Sequence, residues 1–520
     1  MYQQKILLIS LKTTAYFNNA GIDQLAYYLR KRNKNVTLLY FHEDNSIEEI
    51  LAKVRLNYDI YGISLDLEGL AKGFQIAEHI KKYDANKTVC YGGVFPTVMY
   101  REILDDCKYV DYIILGDGEI PFNHLVDNLG TSDFKEYHHI ASHENIKNKK
   151  QSINEISECL QADDYFEGKN GDAYIYCLIT KSNCCTGSCT FCFARKSKKT
   201  NYRSIDSIVD EIIYKHKKHN IENFYFADYS IFHLKNNEEK NRLHELCGKI
   251  NSHHVKLSFF CYIKVDSFTN SDEDKALLKK MRETGFGQIF IGIEAGNDSD
   301  LKLYNKNCSV ADNYRIIELL RRYDIEPYLG FIMFNPYSTI ESLRENFIFL
   351  KTIKALNIYL YAFCFIAVDK YTPIYNMMMK DKLIVDNHSY KNIFEYAYQH
   401  INVEKMALFL KANFAEDIYF KKIQVVDRVN DMFRSMRIRY PVIDIFQEEL
   451  LRLNEIYFKI VIEFFEKFYV ENDLVYCECN VGIFKQKLNE IKNEYTLLKN
   501  KIIKTYLHFK TKRKGTVKDG

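Results

Sequence analysis

The first 125 residues alternate short apolar runs with segments of helical periodicity. The apolar runs cover residues 5–10, 36–40, 59–64, 88–91 and 112–115, and the helical segments cover residues 22–32, 47–54 and 70–82. Continuous apolar runs between helices are typical of parallel strands buried on both faces. The pattern therefore predicts a doubly wound α/β domain, Rossmann-like in layout and about the size of a flavodoxin-like fold, over residues 1–128.

A polar stretch without long apolar runs, residues 129–172, predicts a linker. Strand and helix signals then resume over residues 173–370. Strands are predicted at 174–180, 224–227, 257–263, 288–293, 327–333 and 359–365, with helices at 205–217, 238–250, 272–284, 311–322 and 338–354. Six strand and helix steps are too few for a closed eightfold barrel, so a partial barrel is expected.

The last part of the chain changes character, because Gly and Pro become rare and helical periodicity dominates. Helices are predicted at 402–413, 417–436, 442–469 and 481–509. Residues 371–509 therefore form a predicted helical domain with amphipathic faces. The basic residues 510–520 are expected to form a disordered tail.

Composition narrows the functional classes. The net charge of +3 gives no case for nucleic acid, and no apolar stretch reaches membrane-spanning length. Fourteen cysteines in 520 residues do not make a disulfide scaffold. The N-terminus enters a strand-like run directly, so no signal peptide and a reducing, cytoplasmic location are expected.

Three cysteines give the chain its candidate chemistry. Cys185, Cys189 and Cys192 have the spacing C-x3-C-x2-C, with Phe191 just before the last one. Three close thiolates suit an iron–sulfur cluster, and a four-iron cubane would keep one iron without a protein ligand. A zinc site is the alternative, although zinc usually takes a fourth protein ligand. Cys184 offers a second possible spacing and is interpreted as a neighbour, not a ligand.

The cysteine spacing and the aromatic position resemble the signature of radical S-adenosylmethionine enzymes. The resemblance implies a 4Fe–4S cluster whose open iron chelates the amino and carboxylate groups of S-adenosylmethionine. Reductive cleavage then releases a deoxyadenosyl radical. It also implies a partial six-stranded barrel, with the cysteine loop after the first strand and Phe191 in the S-adenosylmethionine site.

The same resemblance extends to the later strands and supplies further S-adenosylmethionine candidates. Asp228 ends the second strand, where the family binds the amino group, and Lys264 on the third could reach the carboxylate. Glu294 ends the fourth strand, whose polar groups serve the ribose and methionine portions. Gly330 and Met333 lie on the fifth, which contacts the adenine. The simpler interpretations are helix caps or surface acids for the two carboxylates, a solvated Lys264 and a packing glycine at position 330.

Two glycine-containing loops follow strands of the first domain, at residues 91–97 and 110–119. They resemble the cobalamin-binding domain found ahead of many radical S-adenosylmethionine domains. Residues 11–19 contain no histidine that could ligate cobalt from below. The glycines could instead be turn residues of any Rossmann-like domain, but a dinucleotide site is disfavoured because no G-x-G-x-x-G follows the first strand. The implied cobalamin residues are Ser64, Gly92, Gly93, Gly116, Gly118 and Glu119.

These features predict a cobalamin-dependent radical enzyme that methylates an unactivated carbon of a secondary metabolite or a peptide. An external electron donor of the flavodoxin or ferredoxin type is expected, with no nucleic-acid or membrane partner. The alternatives are an oxidation, rearrangement, epimerisation or cross-link without methyl transfer, and a non-catalytic cluster-bearing sensor. The C-terminal helices are expected to close the barrel mouth over the substrate.

Overall fold

The computed structural model describes residues 3–13, 19–42, 45–131, 137–146, 175–181, 185–193, 202–232, 237–419 and 425–516. The chain forms two compact units, one with residues 1–186 and 194–229 and the other with residues 187–193 and 230–520. Across the described helices, no apolar stretch is long enough to traverse a lipid bilayer.

The first unit is built on a sheet covered by helices. Its strands are β1 Lys5–Thr13, β2 Asn35–His42, β3 Ile60–Ser64, β4 Thr88–Gly92, β5 Tyr112–Ile114 and β6 Ile140–Ala141. Its helices are α1 Ala20–Lys31, α2 Ile47–Lys53, α3 Leu70–Tyr83, α4 Val94–Val98, α5 Tyr100–Asp106 and α6 Glu119–Asn128. The strand order is β2-β1-β3-β4-β5-β6, with β1 to β5 parallel. The predicted doubly wound fold is confirmed.

The sheet extends one strand beyond the prediction. β6 pairs antiparallel with β5 and lies inside the segment predicted as a linker. Two residues carry too little apolar signal to predict a strand. The backbone of His139 also accepts a hydrogen bond from the Leu115 amide at 2.8 Å, so this part of the linker closes the sheet edge. Residues 132–136 and 147–172 of the predicted linker lie outside the described residues.

The first unit also contains the start of the second α/β segment. Its elements are β7 Ile175–Leu178, α7 Ile205–His219 and β8 Asn223–Phe226. β7 and β8 are parallel. Arg203 donates to Glu211 at 2.6 Å, and Glu211 also accepts the Tyr176 hydroxyl at 2.8 Å. This buried ion pair joins α7 to β7.

The second unit continues the alternation of strands and helices. Its strands are β9 Ser258–Phe260, β10 Tyr262–Ile263, β11 Gln288–Glu294 and β12 Glu326–Phe331. Its first helices are α8 Asn237–Ser252, α9 Asp272–Thr284, α10 Asp298–Leu303, α11 Val310–Arg322, α12 Ile340–Thr352, α13 Ile358–Tyr361 and α14 Pro373–Lys380. β10, β11 and β12 form a parallel sheet in that order.

Two predicted barrel strands differ from those observed. The strand predicted at 257–263 is divided at Cys261, whose carbonyl accepts the Phe290 amide at 2.9 Å. The strand predicted at 359–365 is wrong for most of its length, because α13 occupies residues 358–361 and only Phe365 pairs, with Phe334. A short buried apolar run does not distinguish strand from helix, which explains the error.

The C-terminal part is helical, as predicted. Its helices are α15 Ile401–Tyr419, α16 Val425–Arg439, α17 Gln447–Tyr469 and α18 Leu474–Thr516. Pro441–Phe446 is a 3-10 helix, so the helix predicted from 442 begins only at Gln447. Helix α18 continues to Thr516, into the stretch that was predicted to be a disordered tail, and residues 517–520 lie outside the described residues. Lys and Arg in that stretch are good helix formers.

The C-terminal helices do not lie where the sequence suggested. Gln288, the first residue of β11, donates to Asp431 of α16 at 2.9 Å. Tyr469 of α17 donates to the carbonyl of Ala362 at 2.5 Å, and its ring packs on Phe334 and Phe347. α16 therefore covers the amino end of β11, opposite the cysteine loop expected at the carboxyl end. The contact of α16 therefore does not agree with the prediction that the C-terminal helices close the barrel mouth.

A substitution in α17 tests this packing. Tyr469 is 1% exposed, and Tyr469→Ala should lower the free energy of unfolding by about 3–5 kcal/mol through the cavity and the lost hydrogen bond. Leu451 on the same helix is 54% exposed, so Leu451→Ala should change it by less than about 0.5 kcal/mol. Denaturant unfolding measures both, and equal effects would show that α17 is not anchored through Tyr469.

Candidate active site

The cysteine loop is only partly enclosed. Cys185, Cys189 and Cys192 are each of intermediate exposure and outside any disulfide. Cys189 and Cys192 belong to one tight turn, in which the Cys192 amide donates to the Cys189 carbonyl at 3.3 Å. Cys184 lies outside the described residues. Among the described residues no three metal-ligating side chains converge, so the fit of a cluster rests on the chemistry of three accessible thiols.

The turn that carries Cys189 and Cys192 is seated on the end of α10. Thr190 donates its amide to the Tyr304 carbonyl at 3.1 Å, and Phe191 meets the Tyr304 ring edge-on at 5.5 Å between centroids. Asn305 donates to the Ser188 carbonyl at 2.9 Å and to its hydroxyl at 2.8 Å. The aromatic residue of the motif therefore anchors the turn through packing.

A buried polar network lies beneath the contact between the cysteine turn and the end of α10. The carboxylate of Asp300 accepts hydrogen bonds from the amides of Asn297, Asn335 and Asn346 at 2.8, 3.0 and 3.1 Å. The amide of Asn335 also contacts the Tyr304 hydroxyl at 2.9 Å. Burial raises the pKa of Asp300, and the three amides oppose that rise. The network fixes Tyr304, and with it the cysteine turn, to the end of β12 and to α12.

Glu294 has an unusual backbone at the end of β11. Its φ is 66°, and the Ala295 amide bonds back to the Ile293 carbonyl at 2.9 Å. The left-handed region costs a side-chain-bearing residue about 1–3 kcal/mol. The carboxylate accepts from Lys306 at 3.3 Å. The end of β11 therefore combines a strained backbone with a carboxylate paired to a buried cation, and the role of Glu294 as a cofactor ligand stays a prediction.

Lys306 was not predicted from the sequence. Burial alone would lower the pKa of Lys306, but the negative charges of Glu294, Cys189 and Cys308 outweigh burial and raise it. A buried lysine charge is thus held close to the cysteine turn. In the sequence Lys306 stands between two polar residues, as a solvated loop lysine does, so its burial beside the cysteine turn could not be predicted.

The other residues of the second unit that were predicted to bind S-adenosylmethionine make contacts within the protein itself. Met333 is fully buried, and its amide pairs with the Cys364 carbonyl at 2.8 Å. A Cβ at Gly330 would come within 2.8 Å of the Phe290 ring, so packing between strands requires this glycine. Lys264 precedes a 3-10 turn, where its amide donates to Ser267 at 2.9 Å. Gly330 therefore fits the simpler interpretation.

Asp228 has a structural role in the first unit. It is 1% exposed, and its carboxylate accepts from the Thr180 amide at 3.1 Å, the Thr180 hydroxyl at 2.6 Å and the Lys181 amide at 3.2 Å. Burial raises the pKa of Asp228 against these bonds. The carboxylate thus ties the end of β8 to the end of β7. The prediction that it binds the cofactor's amino group is not supported.

The predicted cobalamin residues share one edge of the first sheet. Ser64 ends β3 directly opposite Gly92, which ends β4. Asn19 donates to the hydroxyls of Ser10 and Ser64 at 3.0 and 3.1 Å. A Cβ built on Gly92 meets no atom of the described residues within 4 Å, so open space faces the backbone there. Such a bare backbone next to polar side chains fits the close approach of a large flat ligand.

The neighbouring loop is tied to this edge by Thr97. The Thr97 hydroxyl donates to the Gly93 carbonyl at 2.7 Å and accepts the Gly116 amide at 3.0 Å. Gly93 has φ 117°, and a Cβ there would lie 3.1 Å from the Leu65 carbonyl, so the position needs glycine.

Two further predicted cobalamin residues lie at the start of α6. A Cβ at Gly118 would make only ordinary contacts at 3.8 and 4.0 Å, so this glycine is not required by space. Glu119 is the first residue of α6 and is 7% exposed, so little of its side chain is accessible to a ligand.

Comparison with known proteins gives a family model for each of the two candidate sites, the glycine loops of the first sheet and the cysteine loop. Residues 6–126 match the family model for the B12 binding domain, and residues 179–350 match the model for the radical SAM superfamily. The chain therefore belongs to the radical S-adenosylmethionine superfamily and carries a B12-binding domain ahead of the radical domain. It is an enzyme whose cofactors are a 4Fe–4S cluster, S-adenosylmethionine and cobalamin, as predicted.

Individual relatives are distant. An uncharacterized methyltransferase of Pyrococcus horikoshii is 22% identical over 349 residues, 64% of this chain and 73% of that protein. The 4'-phospho-dehydrooxetanocin synthase of Priestia megaterium is 25% identical over 415 residues, 71% of this chain but only 53% of the synthase. The bacteriochlorophyllide d C-8(2)-methyltransferase of Chlorobaculum tepidum is 24% identical over 307 residues, 57% of this chain and 63% of that enzyme.

A solved structure has the same fold. The cobalamin-dependent S-adenosylmethionine radical enzyme OxsB, with aqua-cobalamin and S-adenosylmethionine bound, superposes with a TM-score of 0.69. The match covers 97% of this chain and 80% of that one, at 18% identity. The likeness establishes that the order of α/β domain, partial barrel and C-terminal helices is shared.

The open space beside the backbone of Gly92 allows a test of cobalamin loading. Gly92→Val should fold normally, because a Cβ there meets nothing, but should block cobalamin uptake by filling the open space. Gly482→Ala, in α18, is the matched control and should load normally, since a Cβ there also has open space and the residue lies outside the cobalamin-binding domain. The visible spectrum of reconstituted protein reports loading. Full uptake by Gly92→Val would place cobalamin elsewhere.

The strained carboxylate at Glu294 makes a second test. Glu294→Gly relieves the left-handed backbone, worth about 1–3 kcal/mol, but leaves the buried charge of Lys306 without its partner, at a cost of about 3–5 kcal/mol, so the free energy of unfolding should fall by up to about 4 kcal/mol. S-adenosylmethionine cleavage should also fall at least about tenfold, because the carboxylate is lost. Chemical unfolding and deoxyadenosine formation separate the two effects. Unchanged cleavage would make Glu294 a structural residue only.

Proposed function

We propose that this enzyme transfers a methyl group to an unactivated carbon of a small molecule or a peptide. The supporting observation is the cysteine turn held on Tyr304, with the Glu294–Lys306 pair beside it. When bound, the cluster with S-adenosylmethionine supplies a carbon-centred radical, and cobalamin supplies the methyl group. The methyltransferase names of two relatives support this reaction type.

The chain's own residues position and shield this chemistry. Glu294 offers a carboxylate fixed by Lys306, and such a carboxylate can hold ribose hydroxyls without reorganising. Lys306 places a positive charge near Cys189, which offsets the thiolate charge. Phe191 and Tyr304 cover one side of the turn. Water is thereby kept from that side of the turn, as radical chemistry requires.

A second candidate is radical chemistry without methyl transfer. The relative that aligns over the longest stretch quoted above is named a synthase, not a methyltransferase. The same barrel would then perform an oxidation or rearrangement. In both cases we propose a reduced flavodoxin or ferredoxin as the electron donor and a soluble metabolite or peptide as the substrate.

Cluster assembly and turnover test the proposal. Anaerobically reconstituted protein should hold about four irons per chain and form deoxyadenosine with a strong reductant. Replacing Cys185, Cys189 and Cys192 by Ala should abolish both. Cys479→Ala, an exposed thiol outside the loop, should change neither. Wild-type protein that holds only zinc would overturn the proposal.

The first ligand and the reaction type need separate measurements. Cys184→Ser should be nearly silent, and its loss of cluster would show that Cys184 is the first ligand. With S-adenosylmethionine labelled on its methyl group, label in the product distinguishes methyl transfer from the second candidate.

A further inference from the structure

The chain that follows the predicted sixth barrel strand continues past the carboxyl end of β12. Phe365 pairs in parallel with Phe334, and the Ile366 amide donates to the Phe334 carbonyl at 2.9 Å. The Val368 amide is held by the Ile393 carbonyl at 2.9 Å. Asp369 is the next residue. Asp369 therefore lies past the carboxyl end of β12, at the same edge of the sheet where Glu294 ends β11.

Asp369 begins a turn that contacts the cysteine loop. The amide and hydroxyl of Thr372 donate to the Asp369 carbonyl at 3.3 and 2.6 Å. Tyr371, between them, has φ 73°. The chain then enters α14, where the Ile374 amide donates to the Thr190 carbonyl at 2.9 Å. Thr190 lies between Cys189 and Cys192, so the turn of residues 369–374 is fastened to the cysteine turn.

The side chain of Asp369 is buried without a partner. It is 6% exposed, and within the described residues its carboxylate receives no hydrogen bond and faces no charged group. Asp228 and Asp300 are buried to a similar degree, but each carboxylate accepts three hydrogen bonds. Burial alone raises the pKa of Asp369 to about 6.

An unpaired buried carboxylate is costly and needs an explanation. A metal ion does not supply one, because no three metal-ligating side chains converge among the described residues. A cationic group on the substrate would pair the charge at the moment of binding.

We propose that Asp369 is a substrate-binding residue that receives an ammonium group of the substrate at the cysteine-loop end of the barrel. This assignment rests on the proposed radical enzyme and deepens it, because it narrows the substrate to amine-bearing metabolites or peptides. Without bound substrate, the unpaired carboxylate lowers the stability of the folded protein, as binding residues often do.

The first experiment compares Asp369→Asn with wild type by thermal unfolding of the full chain. A carboxyl with a raised folded pKa favours the folded state at low pH and loses that benefit as pH rises through about 6. Asp369→Asn should therefore unfold at a higher temperature than wild type at pH 8, and the gap should shrink at pH 5. Asp381→Asn, whose exposed carboxylate binds Tyr337, is the control and should show no such gap. An Asn variant that is less stable at both pH values would reveal a structural partner and overturn the proposal.

The second experiment uses paired probes that differ in one ammonium group, glucosamine with glucose and cyclohexylamine with cyclohexanol. At saturation the amines should raise the wild-type unfolding midpoint by about 2 °C and the neutral partners should not. The amine effect should persist in Asp381→Asn and vanish in Asp369→Asn. An absent amine effect, or one that survives in Asp369→Asn, overturns the assignment.

S-adenosylmethionine is run as a further probe on the same three proteins, reconstituted with the cluster. Equal shifts in wild type and Asp369→Asn would agree with a substrate role, and a shift lost only in Asp369→Asn would reassign the residue to the cofactor. Deoxyadenosine formation by wild type is measured separately. Its absence would overturn the proposed function, whereas the paired amines judge Asp369 by binding alone.

Discussion

The buried carboxylate of Asp300 is the interaction on which the candidate site depends. A negative charge with no cation beside it is held by three neutral amides, which come from the start of α10, the end of β12 and the middle of α12. Through Asn335 the same network reaches Tyr304, the residue on which the cysteine turn sits. The amides of Asn335 and Asn346 reach Asp300 only when the end of β12 and α12 pack beside α10. The position of the turn is therefore set by the packing of the second unit together with the contacts of Phe191 and Ser188 in the loop.

The strands of both α/β segments could be predicted because their apolar runs are continuous and separated by clear helical periodicity. The failures occur where that signal is short or ambiguous. β6 has two residues, and the run at 358–361 is a buried helical turn whose apolar residues suit a strand equally well. The helical C-terminal part was predicted, but its packing against the amino end of β11 was not, because periodicity identifies an apolar face and not the surface that it covers.

The candidate site shows a similar division. The cysteine motif and the strand-end position of Glu294 were visible in the sequence. Lys306 was not, because only folding brings it next to Glu294 from twelve residues away. Asp228 was placed correctly at a strand end, but its hydrogen bonds to Thr180 and Lys181 were not predicted, since they join strand ends that are far apart in sequence. Asp369 was not predicted, because its burial without a partner among the described residues is a property of the fold and not of the sequence.

The hydrogen bond from Ile374 to Thr190 has a consequence for the order of events at the site. It joins the turn of residues 369–374 to the cysteine turn, so the two segments share one local opening equilibrium. Whatever orders one of them lowers the entropic cost of ordering the other. Such coupling is reciprocal by thermodynamic necessity. A ligand on the Asp369 side would thus tighten the hold on the cysteine turn, and a loaded cysteine turn would raise the affinity for that ligand by the same factor.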